Sequence, residues 1–258
     1  MKIASWNVNS LRVRLPQVLR WLEDAGPDIL GIQETKLVDE AFPAGEIEAA
    51  GYQVAYSGQP TYNGVALLSR GQPPADIITG IEGFPDEQRR VLGATIGDLR
   101  VLNLYVPNGQ AVGSDKYTYK LNWLAALKNH VARELDRYRR LVVIGDFNIA
   151  PDDRDVHDPG AWAGKILCSE PERAALADLL GLGLADTFRL FDQPEGVYSW
   201  WDYRAAGFRR NRGLRIDLVL ASDDLARTCA GSGVDKIPRG WERPSDHAPV
   251  TASFGTRD

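Results

Sequence analysis

Short apolar runs recur along the whole chain, and many follow one another with no helical segment in between. The runs are KIASW, DILGI, QVAYS, GVALLS, VLGATI, RVLNLYV, LVVIGD, RIDLVLA and PVTASF. They are rich in Val, Ile and Leu and are bounded by Gly, Pro, Asp or Asn, which is typical of β-strands. Because parallel neighbours need a long crossover, strands that follow one another directly predict largely antiparallel or mixed sheets.

Three segments instead repeat their apolar residues every three or four positions, which predicts helices. They cover residues 15–24, 116–138 and 170–180. Helices that fall between groups of strands are expected to cover the outer faces of a two-sheet sandwich. The chain has no linker, repeat or low-complexity run, so we interpret residues 1–258 as one domain of α/β layers.

Composition excludes several classes of protein. The 258 residues are 44% hydrophobic and 25% charged, as in ordinary globular proteins. The N-terminal sequence lacks a signal core, and no window approaches the roughly 18 apolar residues of a membrane span. The two cysteines, Cys168 and Cys229, are too few for a disulfide framework and are interpreted as free buried thiols. We therefore expect a cytoplasmic protein with no membrane association.

The charge balance bears on nucleic-acid binding. Thirty Lys and Arg residues against 35 Asp and Glu residues give a net charge of −5, which argues against a passive DNA coat. The net charge does not exclude an enzyme that acts on nucleic acids, because an acidic site and an acidic back face can mask a basic patch. His130 is predicted on a helix surface and His157 in a solvated acidic loop, which leaves His247 as the candidate functional histidine.

Polar residues stand at the ends of the apolar runs, where a rigid scaffold can present them to a cleft. Taken singly, an Asn there is more often a turn former and a Glu is more often solvated. Asp217 is harder to dismiss, because Ile216 and Leu218 flank it and a buried carboxylate is costly unless it has a partner. It therefore predicts either a metal or a histidine partner, for which His247 is the best candidate.

Eight strings together carry a family resemblance. They are WNVNSLR (6–12), QETK (33–36), NGVALLSR (63–70), YVPNG (105–109), GDFNIAP (145–151), WWDYR (200–204), GLRIDLVLAS (213–222) and PSDHAPV (244–250). On these strings the chain resembles the exonuclease III family of DNA-repair AP endonucleases, within the endonuclease/exonuclease/phosphatase superfamily. QETK, GDFN and SDH are each shared across that superfamily, whereas GLRIDLVLAS with WWDYR is much more specific to the DNA-repair branch.

The resemblance implies a fold, an activity and a partner. The fold is a DNase I-like, four-layered α/β sandwich of two mixed β-sheets flanked by helices. The activity is Mg²⁺-dependent hydrolysis of the phosphodiester 5′ to abasic sites, with 3′–5′ exonuclease and 3′-phosphatase activity, and Mn²⁺ is an alternative cofactor. The partner is double-stranded DNA with abasic sites or blocked 3′ ends, bound by a monomer.

The resemblance also assigns roles to the polar residues. Glu34 is the principal metal ligand, with Asn7, Asn9 and Asp246 near the metal. The catalytic residues are Tyr105 and Asn108, which contact the scissile phosphate, Asp146 and Asn148, which orient or activate the attacking water, and His247, which is paired with Asp217 and also contacts the phosphate. The chemistry agrees, since Mg²⁺ prefers hard oxygen ligands and a carboxylate behind a histidine raises the pKa of the imidazole. Either Asp146 or the His247–Asp217 pair could be the general base, and we favour Asp146.

The net charge hides a basic segment between residues 204 and 215, which holds five arginines and no acid. Arginines interleaved with aromatic residues suit phosphate contact and base or sugar stacking, although a solvated loop is the simpler alternative. The predicted DNA-binding residues are Arg89, Arg90, Lys116, Trp200, Arg204, Arg209, Arg210, Arg212 and Leu214. By resemblance, Trp200, Leu214 and Ile216 line a pocket for a flipped-out abasic sugar, while Ile216 could equally be a core residue.

Two other functions are weighed against a DNA-repair nuclease. A superfamily phosphatase for small phosphoesters would need no extended cationic face, and a catalytically inactive DNA-binding scaffold would not need the complete set of motif acids. The acidic loop at residues 151–172 borders the predicted site, and its sequence leaves open the balance between AP endonuclease, 3′-phosphatase and exonuclease activities.

Overall fold

The structure, a computed structural model, describes residues 1–255. The strands are β1 (Lys2–Asn7), β2 (Ile29–Gln33), β3 (Tyr52–Ser57), β4 (Val65–Arg70), β5 (Ala75–Thr79), β6 (Val91–Ile96), β7 (Leu99–Tyr105), β8 (Leu141–Asp146), β9 (Leu184–Asp186), β10 (Trp200–Trp201), β11 (Gly213–Leu214), β12 (Asp217–Ser222), β13 (Cys229–Val234) and β14 (Val250–Phe254). The α-helices are α1 (Leu11–Ala25), α2 (Ala44–Ala49), α3 (Asp115–Arg137), α4 (Pro159–Trp162), α5 (Glu170–Leu180) and α6 (Asp223–Ala226).

Two six-stranded mixed sheets form the centre of the fold. The first has the strand order β13-β14-β1-β2-β4-β3 and the second has the order β5-β6-β7-β8-β12-β9. The pairs β1–β2 and β7–β8 are parallel, and the other pairs in these sheets are antiparallel. Each parallel pair is joined by a long helix, α1 or α3, which supplies the crossover that parallel strands need. The prediction of mixed sheets is confirmed.

Alternate residues of the strands face different layers of the molecule. Ile3 of β1 packs between the sheets, in one cluster with Val101 of β7. The neighbouring Ala4 packs with α1 on the outside of the first sheet, and Leu102 packs with α3 and α5 on the outside of the second. Because both faces of each sheet are buried, the strands read as continuous apolar runs. The order of layers is helix, sheet, sheet, helix, which confirms the predicted four-layered sandwich flanked by helices.

The predicted elements all occur, and several others carried too weak a signal in the sequence. Each of the nine apolar runs contributes to a strand, and the three predicted helices are α1, α3 and α5, although α1 begins at Leu11 and not at residue 15. The strands β5, β9, β10, β11 and β13 were not expected. β13 reads CAGSGV, which lacks the branched apolar residues of a typical strand, and as an edge strand it packs against a single neighbour.

Two further findings concern the cysteines and the helices. Cys168 is buried and Cys229 is half-buried, and both are free thiols. No helix within residues 1–255 is long and apolar enough to cross a membrane.

The predicted surface position of His130 is wrong. Its side chain on α3 is only 3% exposed, and neither ring nitrogen has a hydrogen-bond partner among the described residues. His130 lies three residues after the fully buried Leu127, so it falls on the same buried stripe of the helix. Burial lowers the pKa of His130 from its ordinary value, which makes the folded state resist protonation at this position.

The burial of His130 predicts a loss of stability in mild acid. The unfolded chain takes up a proton at His130 near pH 6.5, whereas the folded chain does so only at lower pH, so the free energy of unfolding falls as the pH drops below about 6.5. At pH 5.5 this group can cost at most about 1.4 kcal/mol. Urea unfolding at pH 7.5 and pH 5.5 should show a smaller pH-dependent loss for His130→Leu than for the wild type. Equal losses would contradict this account.

Candidate active site

The carboxyl ends of β1, β2, β7 and β8 meet at one edge of the sandwich. Parallel pairing places the ends of β1 and β2 side by side in the first sheet and those of β7 and β8 side by side in the second. Asn7 links the two sheets there, because its Nδ2 donates to Glu34 Oε1 at 2.9 Å and to Asp146 Oδ2 at 3.0 Å. The strand-end carboxylates that were far apart in the sequence therefore share one amide.

A buried histidine lies between two aspartates at this edge. His247 Nδ1 lies 2.8 Å from Asp217 Oδ2, and its Nε2 lies 3.7 Å from Asp146 Oδ2. Asp217 and Asp146 are paired across β12 and β8, so the sheet itself sets the spacing of the two carboxylates. All three residues are at most 4% exposed. Of the two predicted partners for Asp217, a metal or a histidine, the structure provides the histidine.

The electrostatics of this triad favour a charged imidazole. Burial by itself lowers the pKa of His247, but the carboxylates of Asp217 and Asp146 outweigh it and raise the pKa to about 10. Burial raises the pKa of Asp146 to about 7, an effect that the positive charge of His247 opposes and the negative charge of Asp217 reinforces. At neutral pH, His247 therefore holds its proton, and Asp146 is the group of this pair that can accept one.

A second group of oxygen donors surrounds the ammonium of Lys36. Lys36 Nζ lies 3.0 Å from Glu34 Oε2 and donates to Asn9 Oδ1 at 2.6 Å. Asn9 Nδ2 in turn donates to Asp246 Oδ1 at 3.0 Å. Both Glu34 and Asn9 have positive φ angles, 54° and 46°, a conformation that is strained for residues with a side chain and is common at functional sites.

This second group fits a hard divalent cation. Its donors are carboxylate and amide oxygens, which are the ligands that Mg²⁺ prefers, and the neighbouring Lys36 shows that a positive charge is already accommodated between Glu34 and Asn9. Asp146, Asp217 and His247 also lie close enough to hold a metal. A ligating imidazole must be unprotonated, however, and the raised pKa of His247 opposes that arrangement.

Two asparagines extend the site next to Asp146. The main-chain N–H of Asn148 donates to Asp146 Oδ1 at 2.9 Å, and its Nδ2 donates to the carbonyl of Val106 at 3.0 Å. Asn108 Nδ2 then donates to Asn148 Oδ1 at 3.2 Å. These bonds fix the two amide side chains beside the carboxylate, with Asn148 held at a φ of 49°.

Tyr105 lies where this group meets a large cavity. Burial, with the charges of Glu34 and Asp146, raises the pKa of Tyr105 well above its usual range, so the phenol keeps its proton. The cavity has a volume of about 650 Å³, and Glu34, Tyr105 and Asn108 line it together with Arg90 and Lys116. The guanidinium of Arg90 stacks over the Tyr105 ring, 4.7 Å from its centroid, and so supports the ring as well as facing the cavity.

Sequence reasoning missed several residues that hold the site in place. Ser199 Oγ accepts the main-chain N–H groups of Ile216 and Asp217 at 3.0 Å. Ser245 Oγ donates to the carbonyl of Asn7 at 2.7 Å and accepts the N–H of His247 at 3.2 Å. Lys36 and Ser245 lie inside the quoted motifs QETK and PSDH, whereas no pattern singled out Ser199.

The basic segment divides into exposed and buried arginines. Arg204, Arg209, Arg210 and Arg212 are exposed, as is Arg89. Arg215 is only 1% exposed and pairs with Asp155 and Asp186. Including this fifth arginine in a basic surface was wrong, because two carboxylates from distant segments enclose it.

The aromatic and apolar residues of the segment also differ in how deeply they are buried. Trp200 is half-buried, and its Nε1 donates to Asp246 Oδ2 at 2.9 Å, so this indole lies against the oxygen donors of the site. Leu214, paired with Trp200 across β10 and β11, is fully buried in a small apolar cluster that also contains Ile216 and Leu167. Contact of Leu214 and Ile216 with a substrate stays a prediction.

The sandwich and the carboxylate, amide and imidazole groups at its edge define a class of enzymes, the hydrolases of phosphate esters. The pattern of the endonuclease/exonuclease/phosphatase family matches residues 4–247. The chain belongs to that family, as the sequence motifs predicted.

Relatives and solved structures agree along the whole chain. Exodeoxyribonuclease III of Haemophilus influenzae is 38% identical over 270 residues, which cover 98% of this chain and 100% of that protein. The 3′ phosphatase NExo from Neisseria, solved with a product DNA hairpin, is 49% identical with a TM-score of 0.97 and covers 99% of this chain and 100% of its own. An AP endonuclease from Archaeoglobus fulgidus is 39% identical with a TM-score of 0.95, at 99% and 100% coverage.

Proposed function

We propose that this protein is a Mg²⁺-dependent DNA-repair nuclease. It would hydrolyse the phosphodiester 5′ to abasic sites and trim 3′ ends as a 3′–5′ exonuclease and 3′-phosphatase. The observation that carries the proposal is the contact between the aromatic and arginine-rich segment and the site: Trp200 of that segment donates to Asp246 at 2.9 Å. The names of the relatives, which include an exodeoxyribonuclease, a 3′ phosphatase and an AP endonuclease, support it.

The oxygen donors support a metal site at Glu34. Glu34 would be the main ligand, with Asn7, Asn9 and Asp246 close to the ion. The chemistry that bound Mg²⁺ supplies is neutralisation of charge on the phosphoryl and departing 3′ oxygens. Lys36 must give up part of its contact with Glu34 to admit an ion, and it would then add positive charge to the same region.

The triad supports separate roles for its members. Asp146, the member that can accept a proton at neutral pH, would activate the attacking water as general base. His247, held as an imidazolium, would donate a hydrogen bond to the scissile phosphate. Asp217 touches neither water nor phosphate in this scheme, and it would position His247 and preserve its charge. The raised pKa of His247 is the reason to prefer Asp146 over the His247–Asp217 pair as the base.

The neutral polar groups fit the remaining tasks. Asn148, fixed by Asp146 and Asn108, would orient the water without adding negative charge beside an anionic substrate. Asn108 and the protonated hydroxyl of Tyr105 would contact the phosphate oxygens. Preorganised donors of this kind stabilise charge that develops in the transition state.

The exposed arginines, together with Lys116 and Arg90 at the cavity, would bind the DNA backbone. Trp200 would flank an abasic sugar, with the buried Leu214 packed behind it, because an apolar surface selects the nucleotide that has lost its base and costs least to unpair. A phosphatase of small phosphoesters would gain nothing from four exposed arginines in one segment. An inactive scaffold would have no use for the buried His247–Asp217 pair.

This binding face predicts a salt-dependent affinity that depends on particular arginines. Arg209→Ala and Arg210→Ala should each lower the slope of log affinity against log salt by about 0.9, the value for one lost phosphate contact on duplex DNA. Arg139→Ala is the control, because Arg139 is an exposed arginine that precedes β8, at the opposite end of that strand from Asp146. Fluorescence anisotropy with a labelled duplex at several salt concentrations measures the slopes. Slopes that equal the wild-type value in both variants would place the binding face elsewhere.

One assay separates the candidate functions. Wild-type protein is incubated with an abasic duplex, a duplex with a 3′-phosphate and inositol phosphates, each with Mg²⁺ and with EDTA. We expect Mg²⁺-dependent turnover of the two DNA substrates and none of the inositol phosphates. Turnover of inositol phosphates alone would favour the phosphatase, and DNA binding without turnover would favour the scaffold.

We further propose that residues 1–258 act as one domain, as a monomer and in the cytoplasm. The continuous layers of the two sheets support the first point, and the two free thiols support a reducing compartment. Residues 256–258 lie outside the described residues.

A further inference from the structure

A lysine on α3 is fully buried next to the loops that carry Asn108 and Asn148. Lys120 has no exposed surface. Its Nζ donates to the main-chain carbonyl of Asn148 at 2.7 Å and to the main-chain carbonyl of Asn108 at 3.2 Å, and it forms an ion pair with Glu172 of α5. An ammonium has three donors, and these three acceptors satisfy all of them.

Glu172 continues this network into the end of the acidic loop. It is also fully buried. Its carboxylate accepts the main-chain N–H groups of Leu167 and Ser169, both at 3.1 Å, and the hydroxyl of Ser169. Leu167 has a positive φ of 71° and belongs to the apolar cluster of Leu214. The single carboxylate therefore ties the apolar cluster to the lysine that holds the two asparagine loops.

We infer that Lys120 and Glu172 are positioning residues, which hold the Asn108 and Asn148 loops and the 167–169 segment in one fixed arrangement. The inference rests on the proposed function, in which Asn108 and Asn148 contact the phosphate and the water. Neither Lys120 nor Glu172 reaches the reacting atoms in this scheme.

A role in simple packing would not require these two residue types. An apolar pair of similar volume could fill the same space and would avoid the desolvation of two charges, which often outweighs the attraction between them. Apolar side chains cannot bond to two main-chain carbonyls and two main-chain N–H groups, however. What the ion pair adds is direction. The two asparagine loops are also joined by the bonds from Asn108 Nδ2 to Asn148 Oδ1 and from Asn148 Nδ2 to the Val106 carbonyl, and the Ala150 N–H donates to the Leu167 carbonyl. The ion pair bonds to all three segments at once.

The chain offers a matched control for this pair. Lys128 and Asp178 form a second ion pair between α3 and α5, with an N–O distance of 2.8 Å and side chains that are 39% and 63% exposed. The test compares Lys120→Met/Glu172→Gln with Lys128→Met/Asp178→Asn. Changing both members of each pair avoids leaving one uncompensated buried charge, so the first double variant is expected to fold.

Two measurements decide the outcome. At saturating abasic duplex, the single-turnover rate of Lys120→Met/Glu172→Gln should fall on the order of 10- to 100-fold with unchanged DNA affinity, because small displacements of positioning groups cost this much. The loss should shrink in an Asn148→Ala background. Without DNA, hydrogen exchange of the amides at 108–110 and 147–149 should quicken. The control double variant should change neither quantity.

The result that overturns the inference is a Lys120→Met/Glu172→Gln variant that matches the control double variant in both rate and loop exchange. A lower melting temperature with an unchanged rate per folded molecule and unchanged loop exchange would equally overturn it and leave the pair a packing feature. If the wild type cleaves neither DNA substrate, the proposed function fails, and the hydrogen-exchange comparison still decides whether the pair holds the loops.

Discussion

Asp217→Asn should lower the single-turnover cleavage of an abasic duplex by about 10²-fold or more while Mg²⁺ affinity stays near that of the wild type. The carboxylate of Asp217 lies 2.8 Å from His247 Nδ1 and is the largest of the charges that raise the pKa of His247. An uncharged amide keeps the shape of the side chain but removes this charge, and it can reverse the tautomer of the imidazole, as in hydrolase triads. His247 would then be a weaker donor to phosphate.

A Mg²⁺ titration of the cleavage rate, run with His247→Asn and the double variant, tests this pairing. If the two residues act as a unit, the single and double variants should lose similar amounts of rate, and the losses should not add. A rate within a few-fold of the wild type would show that the pairing is not needed. A rate that excess Mg²⁺ restores would instead assign Asp217 to the metal site.

Glu34→Ala is expected to remove most of the activity, at least about 10²-fold, because it deletes the main carboxylate of the metal site. The fold should persist, since Glu34 follows β2 and its side chain is at the edge of the sandwich. Glu34→Gln keeps the shape of the side chain and an oxygen that can still accept from Asn7, but it removes the negative charge. Because the metal site then lacks its main carboxylate, this variant should also be inactive. Circular dichroism and rates at increasing Mg²⁺ or Mn²⁺ measure the two effects.

Glu48→Gln is a suitable control for Glu34, because Glu48 is an exposed carboxylate on α2. It should retain the wild-type rate at every metal concentration. Full turnover of the wild type in excess EDTA would contradict both the metal site and the role of Glu34. Loss of folding in both Glu34 variants would show that this carboxylate is structural.

Local patterns in the sequence accounted for the sheets and for most of the site. The apolar runs predicted nine strands because both faces of each sheet are buried and the pattern needs no knowledge of neighbours. The position of polar residues at strand ends marked Asn7, Glu34 and Asp146. The apolar residues that flank Asp217 predicted either a metal or a histidine partner, and the structure provides the histidine. The edge strand β13 was not predicted, because its side chains are mostly half-buried and its sequence therefore carries no apolar pattern.

The sequence by itself determined which residues could do chemistry, since the motif strings name the acids, the amides and one histidine at strand ends. Only the tertiary structure decided which charged side chains are exposed to bind a partner and which are buried in ion pairs. Arg215 is not part of the basic surface, because Asp155 and Asp186, 60 and 29 residues away, enclose it. Lys120 is buried, because Glu172, 52 residues away, compensates its charge. A charge is stable in the interior only when partners surround it, and the distance between partners in space cannot be read from their spacing along the chain.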